Sequence, residues 1–313
     1  MRSLSATTFA AEGGHSQVIE ALKGCPMYKT IVVHIDGSDR QESRLAAAAQ
    51  LANEHGAHLV GTAVTGISWM DFALLTGSIG APVPDPDTDF RGLRDAAGIR
   101  LDAFREAAAR RGVASFEASL IDDDARYALL LQSRYADLVV LSQDGGDGPP
   151  PDGTPPLAGH ARRLPEYVAL RGARPVLVVP PDYHGEPIPG TVVAGWDGSL
   201  QAIRALAAAL PLLQRAGSVK LALINPDSLS ELHGEEPGAD MALYLARHGV
   251  SVEVVLERTG ATAGEALTAL ARACGAGLMV SGAYGHSRYR EWVLGGVTRE
   301  LLERAPVPLL IAH

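Results

Sequence analysis

Lysine and arginine are in short supply: the 313-residue chain carries 27 of them against 36 acidic residues, a formal net charge of −9. An acidic surface repels phosphodiester backbones, and no cluster of Lys and Arg interleaved with aromatics reverses this, so nucleic acid is not expected as a partner. Cysteine is scarcer still. Cys25 and Cys274 lie far apart with no Cys-x2-Cys spacing, which argues against a zinc ribbon or a disulfide framework and for a reducing compartment. Cys274, in an apolar helical stretch, is expected in the core. No apolar run reaches the roughly 18 residues of a membrane span, and the N-terminus has no signal-peptide core. The expectation is a soluble, cytoplasmic protein without a membrane partner. Aromatics are also few, at 5%.

Alanine, leucine, valine and glycine dominate instead, with 47% hydrophobic residues in all. Such a composition suits helices packed on a sheet, and the length suggests about two domains. Two segments begin alike: Thr30–Ser38 reads TIVVHIDGS and Thr191–Ser199 reads TVVAGWDGS. They also end alike, RGARPVLVV at Arg171–Val179 and RAPVPLLIA at Arg304–Ala312. Similarity at this period indicates a duplication. The reading is a disordered extension over residues 1–27 (or an upstream start, with Met27 the working one), a first domain over 28–180, a Pro/Gly-rich linker over 181–190, and a second domain over 191–313.

In the second half, strands are predicted near Val192–Trp196, Val219–Ile224, Val250–Leu256, Leu278–Ser281 and Pro308–Ala312. Helices are predicted between them. The first places Ile203, Leu206, Ala207, Leu210 and Leu213 on one buried face, with Pro211 expected to kink it or to start a second turn. The others run near Asp240–His248, over Ala263–Cys274 (Leu267, Leu270 and Ala271 inward) and over Gly296–Arg304. The first half repeats the order, with helices near Gln41–His55, Arg91–Arg111 and Asp124–Arg134. Its fourth and fifth strands fall at Asp137–Leu141 and Pro175–Val179. Alternation of apolar strands and helices implies α/β architecture: two Rossmann-like, doubly wound domains, each a five-stranded parallel-type sheet with flanking helices.

Ligands of such sheets collect beyond the carboxyl ends of the strands, where the strand order reverses. Asp197 ends strand one, Ile224 and Asn225 end strand two, and Gly282 ends strand four. After it comes Gly-x2-Gly, nine residues, then Gly-Gly: Gly282, Gly285, Gly295 and Gly296, with Val297 and Thr298 opening a helix. Unpaired amides in a glycine loop and at a helix N-terminus hold phosphate well. Asp197 can accept from ribose hydroxyls or orient a metal-bound water; an Asx-turn or helix cap is the plainer use of Asp-Gly-Ser, and the two are compatible. His286, Arg288 and Arg290 add charge nearby or form a solvated basic loop.

With these residues in view, the chain resembles a tandem universal stress protein over about Tyr28–His313. That family's signature is an Asp after strand one and Gly-x2-Gly-x9-Gly-(Ser/Thr) after strand four. The resemblance implies ATP binding, with or without Mg2+, in the C-terminal half through Asp197, Ile224, Asn225, Gly282, Gly285, His286, Gly295, Gly296, Val297 and Thr298. It also implies a stress-response regulator with at most weak ATP hydrolysis, and pairing through the last strand, as a homodimer or as an intrachain pseudo-dimer. The other reading is a nucleotide-free interaction or scaffold module of the same fold.

Two departures qualify the match. Gly296 replaces the signature Ser/Thr and removes a hydroxyl donor. In the first half Asp36 is kept, but Ser142, Gly145 and Pro155 stand at the glycine positions, and prolines and aspartates suit phosphate poorly. That half is expected to have lost its nucleotide loop, serving as a structural partner or binding something else along Ile67–Phe90. Enzyme signatures are absent: there is no Walker lysine loop, no Ser-Gly-Gly-x-Asp-Ser pyrophosphatase loop, and no Ser/His/Asp spacing. No catalytic or metal-ligating residue is expected, and the ten histidines are expected mostly on the surface.

Overall fold

β-branched runs alternate with Ala/Leu-rich stretches, and in the computed structural model they become the strands and helices of parallel α/β layers. The structure describes residues 6–9, 27–78, 86–143, 163–228, 236–284 and 296–313. The chain divides into two compact units, residues 28–174 and residues 175–313 with 1–27. Chain order begins with β1 (Ala6–Phe9).

In the unit of residues 28–174, β2 (Thr30–His34), α1 (Gln41–His55) and β3 (His58–Val64) come first, then α2 (Trp69–Ser78) and α3 (Pro86–Arg110). They are followed by β4 (Phe116–Ile121), α4 (Ala125–Ser133), β5 (Leu138–Ser142) and α5 (Leu164–Arg171). The strand order is β5-β2-β3-β4, every neighbour parallel. Ile31, Val33, Leu59, Leu138 and Val140 are fully buried, as strands covered on both faces require. Gly56, at φ 60°, ends α1 in the left-handed conformation, its N–H returning to Ala52 O. Asp124 caps α4 by accepting from the Tyr127 N–H. α2, within the stretch the sequence left unassigned, is capped by Ser68, whose Oγ accepts from the Asp71 N–H at 3.1 Å.

The other unit holds β6 (Val176–Val179), β7 (Thr191–Gly195), α6 (Leu200–Leu213), β8 (Ser218–Ile224) and α7 (Ala239–Arg247). Then come β9 (Val252–Glu257), α8 (Ala263–Ala273), β10 (Leu278–Gly282), α9 (Gly296–Arg304) and β11 (Leu309–Ala312). Five strands run parallel in the order β9-β8-β7-β10-β11. Each edge carries an antiparallel strand: β1 pairs with β9, and β6 with β11 in the register Leu309↔Val178, Leu310↔Leu177, Ile311↔Val176. The two segments read as last strands thus pair with each other, and β6 groups with the C-terminal unit, leaving four strands among the described residues of the unit before it. Where the sequence suggested a disordered extension, Ala6–Phe9 forms a strand.

Helix α6 differs from its sequence reading by one step of rotation. Ser199 caps it, accepting from the Ala202 N–H, and Ala202, Ala205, Leu206, Ala209, Leu210 and Leu213 face inward. Ile203 and Ala207, expected inside, are exposed. Pro211 lies in the last turn, where few amide bonds are lost, and Gln214 N–H still reaches Leu210 O at 3.0 Å, so the helix runs on. In α8, Leu267 and Ala271 are buried as expected, whereas Leu270 and Cys274 are half-buried. No described helix is long and apolar enough to cross a membrane.

Candidate functional site

The strand order reverses between β7 and β10, and the predicted residues at this switch come from the ends of β7, β8 and β10. Asp197 follows β7, is exposed, and accepts from the Ser199 N–H at 3.0 Å through one oxygen. The Asx-turn therefore exists, and it uses one oxygen of an exposed carboxylate. Ile224 ends β8 and is buried. Asn225 is held with φ 50°, its N–H on Glu257 O at 2.7 Å. Its side-chain amide donates to Thr259 O and accepts from Thr259 N–H, both at 2.9 Å. These polar groups brace the loop after β8, a role the sequence did not signal.

Gly282 ends β10 against the first turn of α6. A Cβ there would lie 2.6 Å from Ala202 N and 2.7 Å from Gln201 C, both backbone atoms. Helix packing alone requires this glycine. Past it, Tyr284 adopts φ 57° and donates its N–H to Thr298 Oγ1 at 3.0 Å. Thr298, expected at the phosphates, is buried and fixes the entry to the glycine loop from inside α9. Gly296 and Val297, in the first turn of α9, are exposed. Gly285, His286 and Gly295, with Arg288 and Arg290, lie outside the described residues.

In the unit of residues 28–174, the corresponding strand ends carry a network of side chains around Asp36, which is itself exposed. Arg44, on α1, is 2% exposed. Its Nη2 donates to Asp36 Oδ1 and its Nη1 to Ser142 Oγ, each at 2.7 Å. Ser142 Oγ donates in turn to Arg40 O at 3.2 Å, and Arg40 Nη1 to Gln143 O at 2.9 Å. Burial pushes the Asp36 carboxyl up, but Arg44, His34 and the hydrogen bonds from Arg44 and Ser38 pull it further, well below the usual carboxylate range. His34, 4% exposed, has its Nδ1 3.8 Å from Asp36 Oδ2. Burial lowers its pKa from 6.5 to about 4; the attraction of Asp36 opposes this, and Arg44 and Arg100 add to it.

Asp36 and Ser142 are thus both tied to one guanidinium. Gly145 and Pro155 lie outside the described residues. Aligning the repeats on Asp36 and Asp197 sets Ala205 opposite Arg44 and Gly195 opposite His34. An arginine in an alanine-rich helix was the available signal, and the sequence reading passed over it. His55 was expected at the surface but is buried, its ring 5.0 Å from that of Tyr28. Among the described residues no group of three or more His, Cys, Asp or Glu is placed to hold a metal.

Residues 190–313 match the model of the universal stress protein family. The match covers the strand-end site just described and stops before the unit of residues 28–174. The whole chain is similar in fold to a universal stress protein from Archaeoglobus fulgidus, with 18% identity, 90% of this chain and 95% of that one covered, and a TM-score of 0.62. A functionally unknown protein from Pseudomonas aeruginosa is similar at 14% identity, with 94% of each chain covered and a TM-score of 0.52. No curated protein matches the chain. Within residues 190–313, Asp197 and, in the first turn of α9, Gly296 and Val297 are exposed, while Gly282 and Thr298 hold the frame.

Proposed function

We propose that the universal stress protein domain of residues 190–313 is an adenine-nucleotide-binding regulator that holds ATP, with or without Mg2+, at the β7/β10 switch. The observation that carries this reading is the exposed carboxylate of Asp197 at the switch, with Ala205 where the other unit has Arg44. In this assignment Asp197 accepts from the ribose and the first turn of α9 faces the phosphates. In this reading ATP acts as a signal and turns over slowly at most. The unit of residues 28–174 is then a sister domain of the same type whose strand-end aspartate is paired with Arg44. The setting proposed is a cytoplasmic stress response.

Isothermal titration with ATP tests the assignment. Asp197→Asn keeps the acceptor for Ser199 but loses the charge, and a charge-assisted hydrogen bond is worth roughly 1.5–3 kcal/mol, so affinity should fall about tenfold. A wild-type protein that binds no adenine nucleotide at millimolar concentration removes the nucleotide reading.

A nucleotide-free interaction module is the second reading, favoured by the antiparallel pairing of β6 with β11. In it, last-strand pairing is the function and the glycine loop is inherited. Nucleotide absent from protein mass-analysed straight after purification, together with no heat in the titration, would favour it.

A further inference from the structure

β4 and β9 are counterparts in the duplication: Phe116 stands beside Leu59 of β3 as Val252 stands beside Val219 of β8. The two strands read FEASLI and VEVVLE, with a glutamate second and a leucine fifth in both. Their outer edges differ. β1 lies antiparallel along β9, with Phe9 opposite Val252 and Thr7 opposite Val254. β4 ends the strand order and, among the described residues, pairs with β3 alone. Val252, Val254 and Val255 of the covered strand are buried, whereas no residue of β4 is.

The open edge of β4 follows from its ladder with β3. Ser115 O accepts from the Leu59 N–H at 2.9 Å, and Ile121 O from the Thr65 N–H at 3.2 Å. Backbone groups alternate in direction along a strand, so Glu117 and Ser119 also bond to β3. Phe116, Ala118 and Leu120 turn their N–H and C=O groups outward, as Val252 and Val254 do beneath β1. Such a row of unpaired donors and acceptors is a template for another strand.

The strand that fits this template is β4 itself. We propose that two copies of the chain join edge to edge through β4, antiparallel about a two-fold axis at Ala118. Phe116 then meets Leu120 of the second copy, and Glu117 meets Ser119, so each outward N–H and C=O gains a partner and the contact closes on itself. The two glutamates lie on the diagonal rather than face to face. Registers change in steps of two, because outward residues must meet outward residues. One step sets Glu117 against Glu117, and the other sets Phe116 against Asp122. The flanks agree with the antiparallel sense, which carries Asp122, Asp123 and Asp124 of each copy towards the exposed Arg110 that ends the other's α3. The interface uses no residue of the nucleotide assignment, so either can fail alone.

Sedimentation equilibrium of the full-length protein tests the interface, together with amide exchange read residue by residue. A strand edge is a small contact, so a dimer that dissociates at roughly micromolar concentration is expected. The amides of Phe116, Ala118 and Leu120 should be protected in the dimer and lose that protection on dilution. Those of Glu117 and Ser119, bonded to β3, should stay protected throughout. This alternation needs no variant. Ala118→Pro removes a donor that the β3 ladder does not use, and it should weaken the dimer about tenfold or more while Glu117 and Ser119 remain protected. A monomer at every concentration, an assembly larger than a dimer, equal response of all five amides to dilution, or an undiminished dimer in Ala118→Pro would overturn the proposal.

Discussion

Arg44 Nη2 lies 2.7 Å from Asp36 Oδ1, an ion pair at the strand ends whose arginine is replaced by Ala205 beside Asp197, although both aspartates are exposed. Arg44 is itself almost wholly buried. A buried cation persists only when paired and hydrogen-bonded, and breaking such a pair leaves an uncompensated charge. Arg44→Ala should therefore destabilise the unit of residues 28–174 by about 3 kcal/mol, read as lost hydrogen-exchange protection in β2 and β5. Unchanged protection there would mean the pair contributes nothing.

Acid should weaken the same cluster in a defined window. His34 has a folded pKa of about 4 against 6.5 when unfolded, so the unfolded chain binds the extra proton between those values. Stability is complete above pH 6.5 and declines as pH falls towards 4, by about 3 kcal/mol in all. Asp36, whose pKa is depressed, contributes stability that is present above the ordinary carboxylate value and lost only in stronger acid. Urea denaturation between pH 7 and pH 4.5 should show the decline, and His34→Phe should flatten it. An identical slope in the variant would assign the loss to other groups.

Gly282, a signature glycine, and Gly296, which stands in place of the signature Ser/Thr, should behave oppositely. Gly282→Ala drives a methyl group to 2.6 Å from Ala202 N, so overpacking should cost about 1–3 kcal/mol and lower the thermal midpoint with no nucleotide present. Gly296→Ser changes an exposed position at the start of α9. It restores a hydroxyl where phosphate is proposed and should tighten ATP severalfold with the midpoint unchanged. Weaker or equal ATP affinity in Gly296→Ser would show that this loop has its own geometry.

Thr298 offers a finer test of the frame. Its Oγ1 accepts the Tyr284 N–H at 3.0 Å and holds a non-glycine residue at φ 57°. Thr298→Val deletes the acceptor at nearly constant volume and strands that amide. A loss of about 1–2 kcal/mol is expected, with faster amide exchange at Tyr284. Thr298→Ser should retain most of the protection.

Much of this was legible in the sequence because it depends on local pattern. The period of apolar residues gave the strands around Ile31, Val193 and Val280, and the repeated Asp-Gly-Ser gave Asp36 and Asp197 as partners in a duplication. The rotation of α6 was not legible. A run of alanines and leucines offers several apolar stripes, and only packing against the sheet selects Ala202 and Ala205 over Ile203 and Ala207.

The amino-acid order alone determined the alternation of elements, the parallel α/β class and the positions of the strand-end aspartates, since these follow from side-chain periodicity and turn chemistry between near neighbours. Only the tertiary structure decided that Asp36 is tied to a buried guanidinium. That depends on Arg44 meeting Asp36 and Ser142, the latter 98 residues further along the chain. It likewise decided that the segment at Val176–Val179 pairs with Leu309–Ala312. Contacts so distant in sequence leave no local period, and they form only when the sheet brings both partners to one edge.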